Sequence, residues 1–392
     1  MHNFAAAPRT FRIALVLACL SMLPALQARQ QVQAPADVIA KVKAQVAPDT
    51  RLTVFDVKAE VKDGALEVAG EVDQPASKEA VLAALRNGGH ANIVDKVVVL
   101  PDPALGARVY GFVSVSVANQ KTKPSHPSEL GNQLLMGTPV KVLKRQGGWF
   151  LTQSLDDRYL GYVLGGQLAL MTQEEANAFR STKRAVVTAL FAVLREQPGE
   201  DAPVVSDLVM GDVLQLKGEA KGWFAARLPD GRTGFLPATA AADYQEWKAS
   251  RRLTPENIES TARQMLGMPY VWGGTSPKGA DCSGFTKTVF RAHGAELQRD
   301  ADQQSNQGDA VPTDNDLAAL QKGDLLFFGS TPGDTRITHT GIYLGGKRFI
   351  HAAAGPGMVR INSFDPASPI FSESLLKNLV KVRRIAGHGP TH

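Results

Sequence analysis

The segment "ADCSGF", residues 280–285, holds one of the two cysteines in the chain. Apolar residues recur at helical spacing from Phe285 to Ala292, so Cys282 is expected in the first turn of a helix. Unpaired backbone N–H groups and the positive end of the helix dipole at that place favour an anion, which lowers the pKa of a thiol. The resulting thiolate is a nucleophile, and the same N–H groups can hold an oxyanion.

Two histidines can carry the proton that acyl transfer requires. His339 and His351 lie 12 positions apart, on two short apolar runs around "GG", which indicate a β-hairpin. Because side chains alternate faces along a strand, both imidazoles share a face only if the loop has an odd number of residues or the hairpin contains a bulge. On a shared face, His339 serves as general base and acid, and His351 fixes its tautomer by a hydrogen bond.

The N-terminus predicts export. In residues 1–28, Arg9 and Arg12 precede an apolar run and small residues, the pattern of a secretory signal peptide. Cys19 lies in that run, in a context that does not favour a lipid anchor. Removal of the signal leaves Cys282 as the only cysteine, which favours a reactive thiol over a disulfide in an oxidising compartment. We expect a periplasmic or secreted protein with no integral membrane segment after signal removal.

Charge and motifs argue against several classes of function. The formal net charge is +5, and it falls to +3 without the two arginines of the signal peptide, too little to indicate nucleic-acid binding. The other histidines show no metal-ligand spacing, and there is no phosphate-binding loop or dinucleotide motif. We therefore predict no metal and no cofactor.

The elements ahead of Cys282 divide into several domains, because 392 residues exceed one ordinary core. Residues 37–101 follow the order α-β-β-α-β. Residues 105–180 and 183–245 repeat one β-rich scheme, with Trp149 and Trp223 in equivalent places 74 positions apart. Short strands with regular turns favour two small barrels. Residues 250–386 form the last domain.

The motifs "PYVWGG", "GADCSGF", "HTGIYLG" and "FIHA" occur in an order similar to the NlpC-type cell-wall cysteine peptidases. That resemblance implies an α+β papain-like fold. The two preceding stretches resemble bacterial SH3-like domains, and residues 37–101 resemble a BON domain, a small α/β module. With two SH3-like domains the chain most resembles the γ-D-glutamyl-L-diamino-acid endopeptidases, which cut peptidoglycan stem peptides between D-Glu and the diamino acid.

The resemblance implies a role for each matching residue. Cys282 matches the nucleophile, His339 the base and His351 the third polar residue. The residues that match substrate-binding positions are Tyr270, Trp272, Asp281 and Ser283 in the last domain, and Glu129 and Tyr159 in the first SH3-like domain. The carboxylates of this set would read the free amino group of an N-terminal L-Ala. Ala301 stands where this group often has a serine that contacts the substrate.

Each substrate position also has a purely structural interpretation. Asp281 can be a helix N-cap, Tyr159 barrel core and Glu129 a surface carboxylate. Two other activities also fit the triad, an amidase acting on the lactyl–L-Ala bond and an acyltransferase. The carboxylates argue against the amidase, whose bond leaves no free amine to read. A third possibility is an inactive wall-binding protein, against which the complete triad counts.

Overall fold

The computed structural model describes residues 32–313 and 317–385. The predicted signal peptide, with Cys19, lies outside the described residues. Within the described ranges, no helix is both long and apolar enough to cross a membrane.

The first module is a three-stranded sheet covered by two helices. Its elements are α1 (Pro35–Val46), β1 (Phe55–Lys62), β2 (Ala65–Val72), α2 (Pro75–Asn87) and β3 (Ile93–Val99). Strands β1 and β2 form a hairpin around Asp63 and Gly64, which both have positive φ, and β3 adds parallel to β2. One apolar cluster, which includes Val68, Val81 and Leu85, joins the helices to the sheet.

Two seven-stranded antiparallel sheets follow, each curled around its own apolar cluster. The first contains β4 (Tyr110–Val113), β5 (Val117–Lys121), β6 (Leu130–Leu135), β7 (Pro139–Gln146), β8 (Trp149–Ser154), β9 (Leu160–Leu164) and β10 (Leu168–Met171), and is followed by α3 (Gln173–Ser181). The second contains β11 (Arg184–Val187), β12 (Phe191–Arg195), β13 (Val204–Val209), β14 (Val213–Ala220), β15 (Trp223–Arg227), β16 (Thr233–Pro237) and β17 (Ala241–Asp243). Trp149 and Trp223 begin equivalent strands of the two sheets.

The last domain packs a helix against a six-stranded sheet. After the connecting helix α4 (Tyr244–Ser250) come α5 (Pro255–Gln264), β18 (Thr275–Ser276), β19 (Gly279–Ala280), α6 (Cys282–Ala292), α7 (Ala301–Gln304), β20 (Asp309–Val311), β21 (Leu325–Phe328), β22 (His339–Gly345), β23 (Arg348–Ala353), β24 (Met358–Ser363), α8 (Glu373–Lys377) and β25 (Leu379–Arg384). The sheet is antiparallel in the order β20-β25-β21-β22-β23-β24. Phe285 and Val289 of α6 are fully buried against Ile342 and Ile350 of the sheet.

The first SH3-like domain is fixed directly to helix α6. Lys287 of that helix lies 3.1 Å from the carboxylate of Asp157, and both side chains are 2% exposed. Beside this ion pair, the N–H of Thr275 donates to the side chain of Gln133 over 3.1 Å. Helix α6 and strand β18 therefore both contact the first SH3-like domain.

Candidate active site

Cys282 is the first residue of α6, as the sequence predicts, and its side chain is 8% exposed. Burial raises the pKa of the Cys282 thiol to about 12, the charge of Asp281 adds to the rise, and the N–H groups of Thr340 and Ser283 oppose it only in part. The expectation of a lowered pKa is therefore wrong for the resting protein. The helix terminus is present, but its effect is smaller than the cost of burying an anion, so the sulfur rests as a neutral thiol.

The two imidazoles share a face of the hairpin formed by β22 and β23. The turn itself has two residues, and the register shifts between Tyr343 and Gly345, so the hairpin contains the bulge that the shared face requires. Nε2 of His339 lies 2.7 Å from Nδ1 of His351. Gly341 allows this approach, because a Cβ at that position would come within 3.0 Å of Cβ of His351.

A hydrogen-bond chain fixes the tautomer of both rings. The side chain of Asn362, on β24, donates through Nδ2 to the carbonyl of Ile370 over 2.9 Å. Since a carbonyl only accepts, Oδ1 of Asn362 must face Nε2 of His351, 3.1 Å away, and that nitrogen donates to it. Nδ1 of His351 is then an acceptor, and Nε2 of His339 carries a proton and donates a hydrogen bond to it. Nδ1 of His339 keeps its lone pair and is the nitrogen that can take a proton.

Both rings are neutral at rest. Burial lowers the pKa of His339 to about 3, with a further contribution from His351. Burial also lowers the pKa of His351 to about 4, although Asn362 acts in the opposite direction. A neutral imidazole can act as a general base during attack, because it is not already protonated. The backbone N–H of Thr340, the residue after His339, interacts with the thiol of Cys282.

Asp281 is the N-cap of α6, and its negative charge is balanced by a positively charged side chain of the same domain. It accepts the N–H of Gly284 over 2.7 Å and the N–H of Gly273 over 3.0 Å. The guanidinium of Arg299, 1% exposed, binds the same carboxylate at 2.6 and 3.2 Å and also donates to Oγ of Ser283 at 3.0 Å. The N-cap interpretation is thus confirmed, and the charge of Asp281 is balanced by a buried cation.

The other predicted substrate residues surround this centre. Burial raises the pKa of Tyr270, and its electrostatic interactions with Cys282 and Asp281 add to the rise. Trp272 is 64% exposed, and its Nε1 donates to Oε1 of Glu129 over 2.8 Å, across the boundary to the first SH3-like domain.

Tyr159 is buried in that SH3-like domain, but its hydroxyl reaches the peptidase domain and donates to Asp300 over 3.2 Å. Ala301 follows Asp300 as the first residue of α7 and is also buried. The structure therefore gathers the predicted residues of both domains around the start of α6.

Sequence reasoning missed two members of this arrangement. Asn362 follows His351 by 11 positions on the next strand, and nothing in its local sequence sets it apart. Arg299 lies in "LQRD", where an arginine ordinarily suggests a surface position. Asp281 is buried, and a buried carboxylate requires a cation or several donors, but its burial was not predicted from the sequence.

Comparison with known proteins supports this picture. Residues 267–384 match the NlpC/P60 family, and residues 122–168 match the bacterial dipeptidyl-peptidase Sh3 domain. These two matches give no support to the BON resemblance of residues 37–101.

Three similar proteins extend beyond one domain. A γ-D-glutamyl-L-lysine dipeptidyl-peptidase from Bacillus cereus is 30% identical over 62% of this chain and 73% of its own length. Dipeptidyl-peptidase 6 from Lysinibacillus sphaericus is 29% identical over 69% of this chain and 97% of its own. The crystal structure of an NlpC/P60 family protein from Bacillus cereus, 25% identical, matches with a TM-score of 0.62 over 70% of this chain and 99% of that one. The chain therefore belongs to the NlpC/P60 family, the cell-wall peptidases that its motifs predict.

Proposed function

We propose that this protein is a cysteine endopeptidase that hydrolyses the bond between γ-D-Glu and the diamino acid of peptidoglycan stem peptides with a free N-terminal L-Ala. The observation that carries the proposal is the chain from His339 through His351 to Asn362, which leaves one basic nitrogen for the thiol of Cys282. The names of the similar γ-D-glutamyl-L-lysine and other dipeptidyl-peptidases support the same bond.

The reaction proceeds in two acyl transfers. Nδ1 of His339 takes the proton of Cys282 as the sulfur attacks the γ-carbonyl carbon of D-Glu. Backbone N–H groups in the first turn of α6 and the hydroxyl of Tyr270 stabilise the oxyanion. The C–N bond breaks as His339 returns its proton to the leaving amine of the diamino acid. Water, deprotonated by His339, then cleaves the thioester, which releases L-Ala-γ-D-Glu and restores the thiol.

Selection of a free amine depends on Glu129 in this scheme. Asp281 is already balanced by Arg299, so it adds little net charge to the pocket. Glu129 is held by the neutral indole N–H of Trp272, which leaves its negative charge to attract an ammonium group. An acylated N-terminus offers no cation, so the carboxylate would lose water on binding without gaining an ionic partner, which disfavours that substrate.

Incubation with L-Ala-γ-D-Glu-diaminopimelate tests the proposal. Mass spectrometry should detect L-Ala-γ-D-Glu with the wild type and none with Cys282→Ser. The isosteric variant Glu129→Gln should lose most of the preference for the free peptide over its N-acetyl form. Release of L-Ala from a lactyl peptide would favour the amidase, transfer to an added amine would favour the acyltransferase, and no turnover of either peptide would favour the inactive binding protein.

Export to the periplasm or the medium is part of the proposal and rests on the first 28 residues. Cell fractionation, with the N-terminal residue of the recovered protein determined, tests it. Recovery of the chain with its first residues intact in the cytoplasm would contradict export.

A further inference from the structure

A loop of the N-terminal module reaches the peptidase domain. Arg51 lies in the segment between α1 and β1, and its guanidinium contacts three carboxylates. The hydrogen bonds are to Asp300 (2.8 Å), Asp302 (2.9 and 2.8 Å) and Asp49 (2.9 and 2.8 Å). Asp300 is the N-cap of helix α7, and Asp302 is its second residue. One cation of the module thus holds together carboxylates from two domains.

The backbone of the same loop is tied to the first SH3-like domain. The carbonyl of Arg51 accepts the N–H of Leu160 over 2.8 Å, directly after Tyr159 in the chain. The carbonyl of Leu52 accepts a side-chain N–H of Gln153 over 2.7 Å. The loop therefore sits where the three domains meet, and it cannot shift without disturbing the strand that begins beside Tyr159.

The charges continue inward from Arg51 with alternating sign. Asp300 accepts from both Arg51 and the hydroxyl of Tyr159. Its other oxygen lies 3.8 Å from the guanidinium of Arg299, which in turn binds Asp281 at 2.6 Å. Asp281 is the residue next to Cys282. A continuous path of ion pairs thus joins the N-terminal module to the residue beside the reacting sulfur.

We propose that the N-terminal module is a working part of the active site, in which Arg51 is a positioning residue that holds Asp300, and through it Tyr159, at the wall of the substrate pocket. The inference rests on the proposed function, because it assigns the pocket to a stem peptide, and on the substrate-binding role that the family resemblance implies for Tyr159. Without Arg51, three carboxylates face one another without their common cation. Asp300 then turns away from its neighbours, and Tyr159 loses the acceptor that orients its ring.

The predicted effect is on substrate binding more than on chemistry. Arg51 touches neither the thiol nor the imidazoles, so kcat should stay within about twofold of the wild type. Without Arg51, Asp300 and Tyr159 no longer hold the position in which they face the substrate. The loss of one such oriented, charge-assisted contact to the substrate should raise KM for the free tripeptide about tenfold. A merely structural role would lower the amount of active enzyme and hence apparent kcat, with KM unchanged.

Full-length Arg51→Ala, Tyr159→Phe and the double variant test this coupling, with Arg86→Ala as the matched control. Arg86 is an exposed arginine of the same module, on α2, and should behave as the wild type. We expect Arg51→Ala to raise KM in the wild-type background and to add nothing in the Tyr159→Phe background. Should Arg51→Ala fail to fold, Arg51→Lys serves in the same cycle, since one ammonium cannot reproduce the paired contacts of a guanidinium.

The outcomes separate the inference from the proposed function. A wild type that does not release L-Ala-γ-D-Glu contradicts the proposed function. A wild type that releases it, with an Arg51 variant of unchanged KM, contradicts the role of Arg51. KM effects of Arg51 and Tyr159 that multiply independently also overturn the inference, because they show that the two residues act separately.

Discussion

Replacement of Asn362 tests the tautomer chain most directly. Asn362→Leu removes the acceptor of Nε2 of His351 and leaves that buried N–H without its partner. A lost neutral hydrogen bond of this kind is worth about 1 kcal/mol, and the unsatisfied donor raises the cost to roughly 1–2 kcal/mol. If this cost appears in full as a higher activation free energy, because His339 is less well oriented, kcat falls about 5- to 30-fold. KM should change little, because Asn362 does not face the substrate.

Asn362→Asp separates orientation from simple disruption. A carboxylate still accepts from Nε2 of His351, so the tautomers are kept and kcat at neutral pH should stay near the wild type. Its negative charge raises the pKa of His351 and, through the shared hydrogen bond, favours protonation of the pair. Because the protonated base is inactive, the acid limb of the kcat profile should move to higher pH.

The assay is release of L-Ala-γ-D-Glu measured from about pH 2 to 9, a range that includes the low pKa values of His339 and His351, with kcat and KM determined separately. Asn257→Leu is the matched control, since Asn257 also donates its side chain to a backbone carbonyl over 2.9 Å in the same domain, at the start of α5. An unchanged kcat in Asn362→Leu, or an acid limb in Asn362→Asp that coincides with the wild type, would refute the relay.

Three more predictions concern other parts of the site. Iodoacetamide at pH 7 should alkylate Cys282 at least about tenfold more slowly than a free cysteine, because a raised pKa leaves little thiolate; an equal rate by mass spectrometry contradicts a neutral resting thiol. Arg299→Leu should lower the free energy of unfolding by roughly 3–5 kcal/mol, since the buried carboxylate of Asp281 loses its cation; urea titrations that superimpose on the wild type would exclude this. Gly273→Ala should lower the melting temperature, because the Cβ of the alanine would lie 2.1 Å from the carbonyl oxygen of Leu130. An unaltered melting temperature would mean that the two domains can move apart at this contact without loss of stability.

Local patterns predicted the parts of the site that depend on local geometry. Alternation along two strands predicted either a loop with an odd number of residues or a bulge between His339 and His351, and the register contains a bulge. Helical spacing placed Cys282 in a first turn, as observed. The family of the peptidase domain followed from four short motifs, all of which lie within the matched residues 267–384.

Long-range contacts set the properties that the sequence did not reveal. The pKa of Cys282 depends on how completely distant strands cover the sulfur, which no neighbouring residue indicates. Asn362 and Arg299 act through side chains that the fold brings to the site from other elements. Arg51 comes from another domain altogether, about 250 positions from its partners Asp300 and Asp302.

The ion pair between Lys287 and Asp157 limits how this protein can be recombined. Its domains follow one another along the chain, yet Lys287, on the helix that begins at Cys282, pairs with a buried carboxylate of the first SH3-like domain. In a chimera whose barrel has an apolar side chain in place of Asp157, the ammonium group of Lys287 would stay buried with one counterion fewer. That lysine lies on α6, the helix that begins at Cys282. Exchange of binding modules in this lineage should therefore retain an acidic residue there, or change the lysine at the same time.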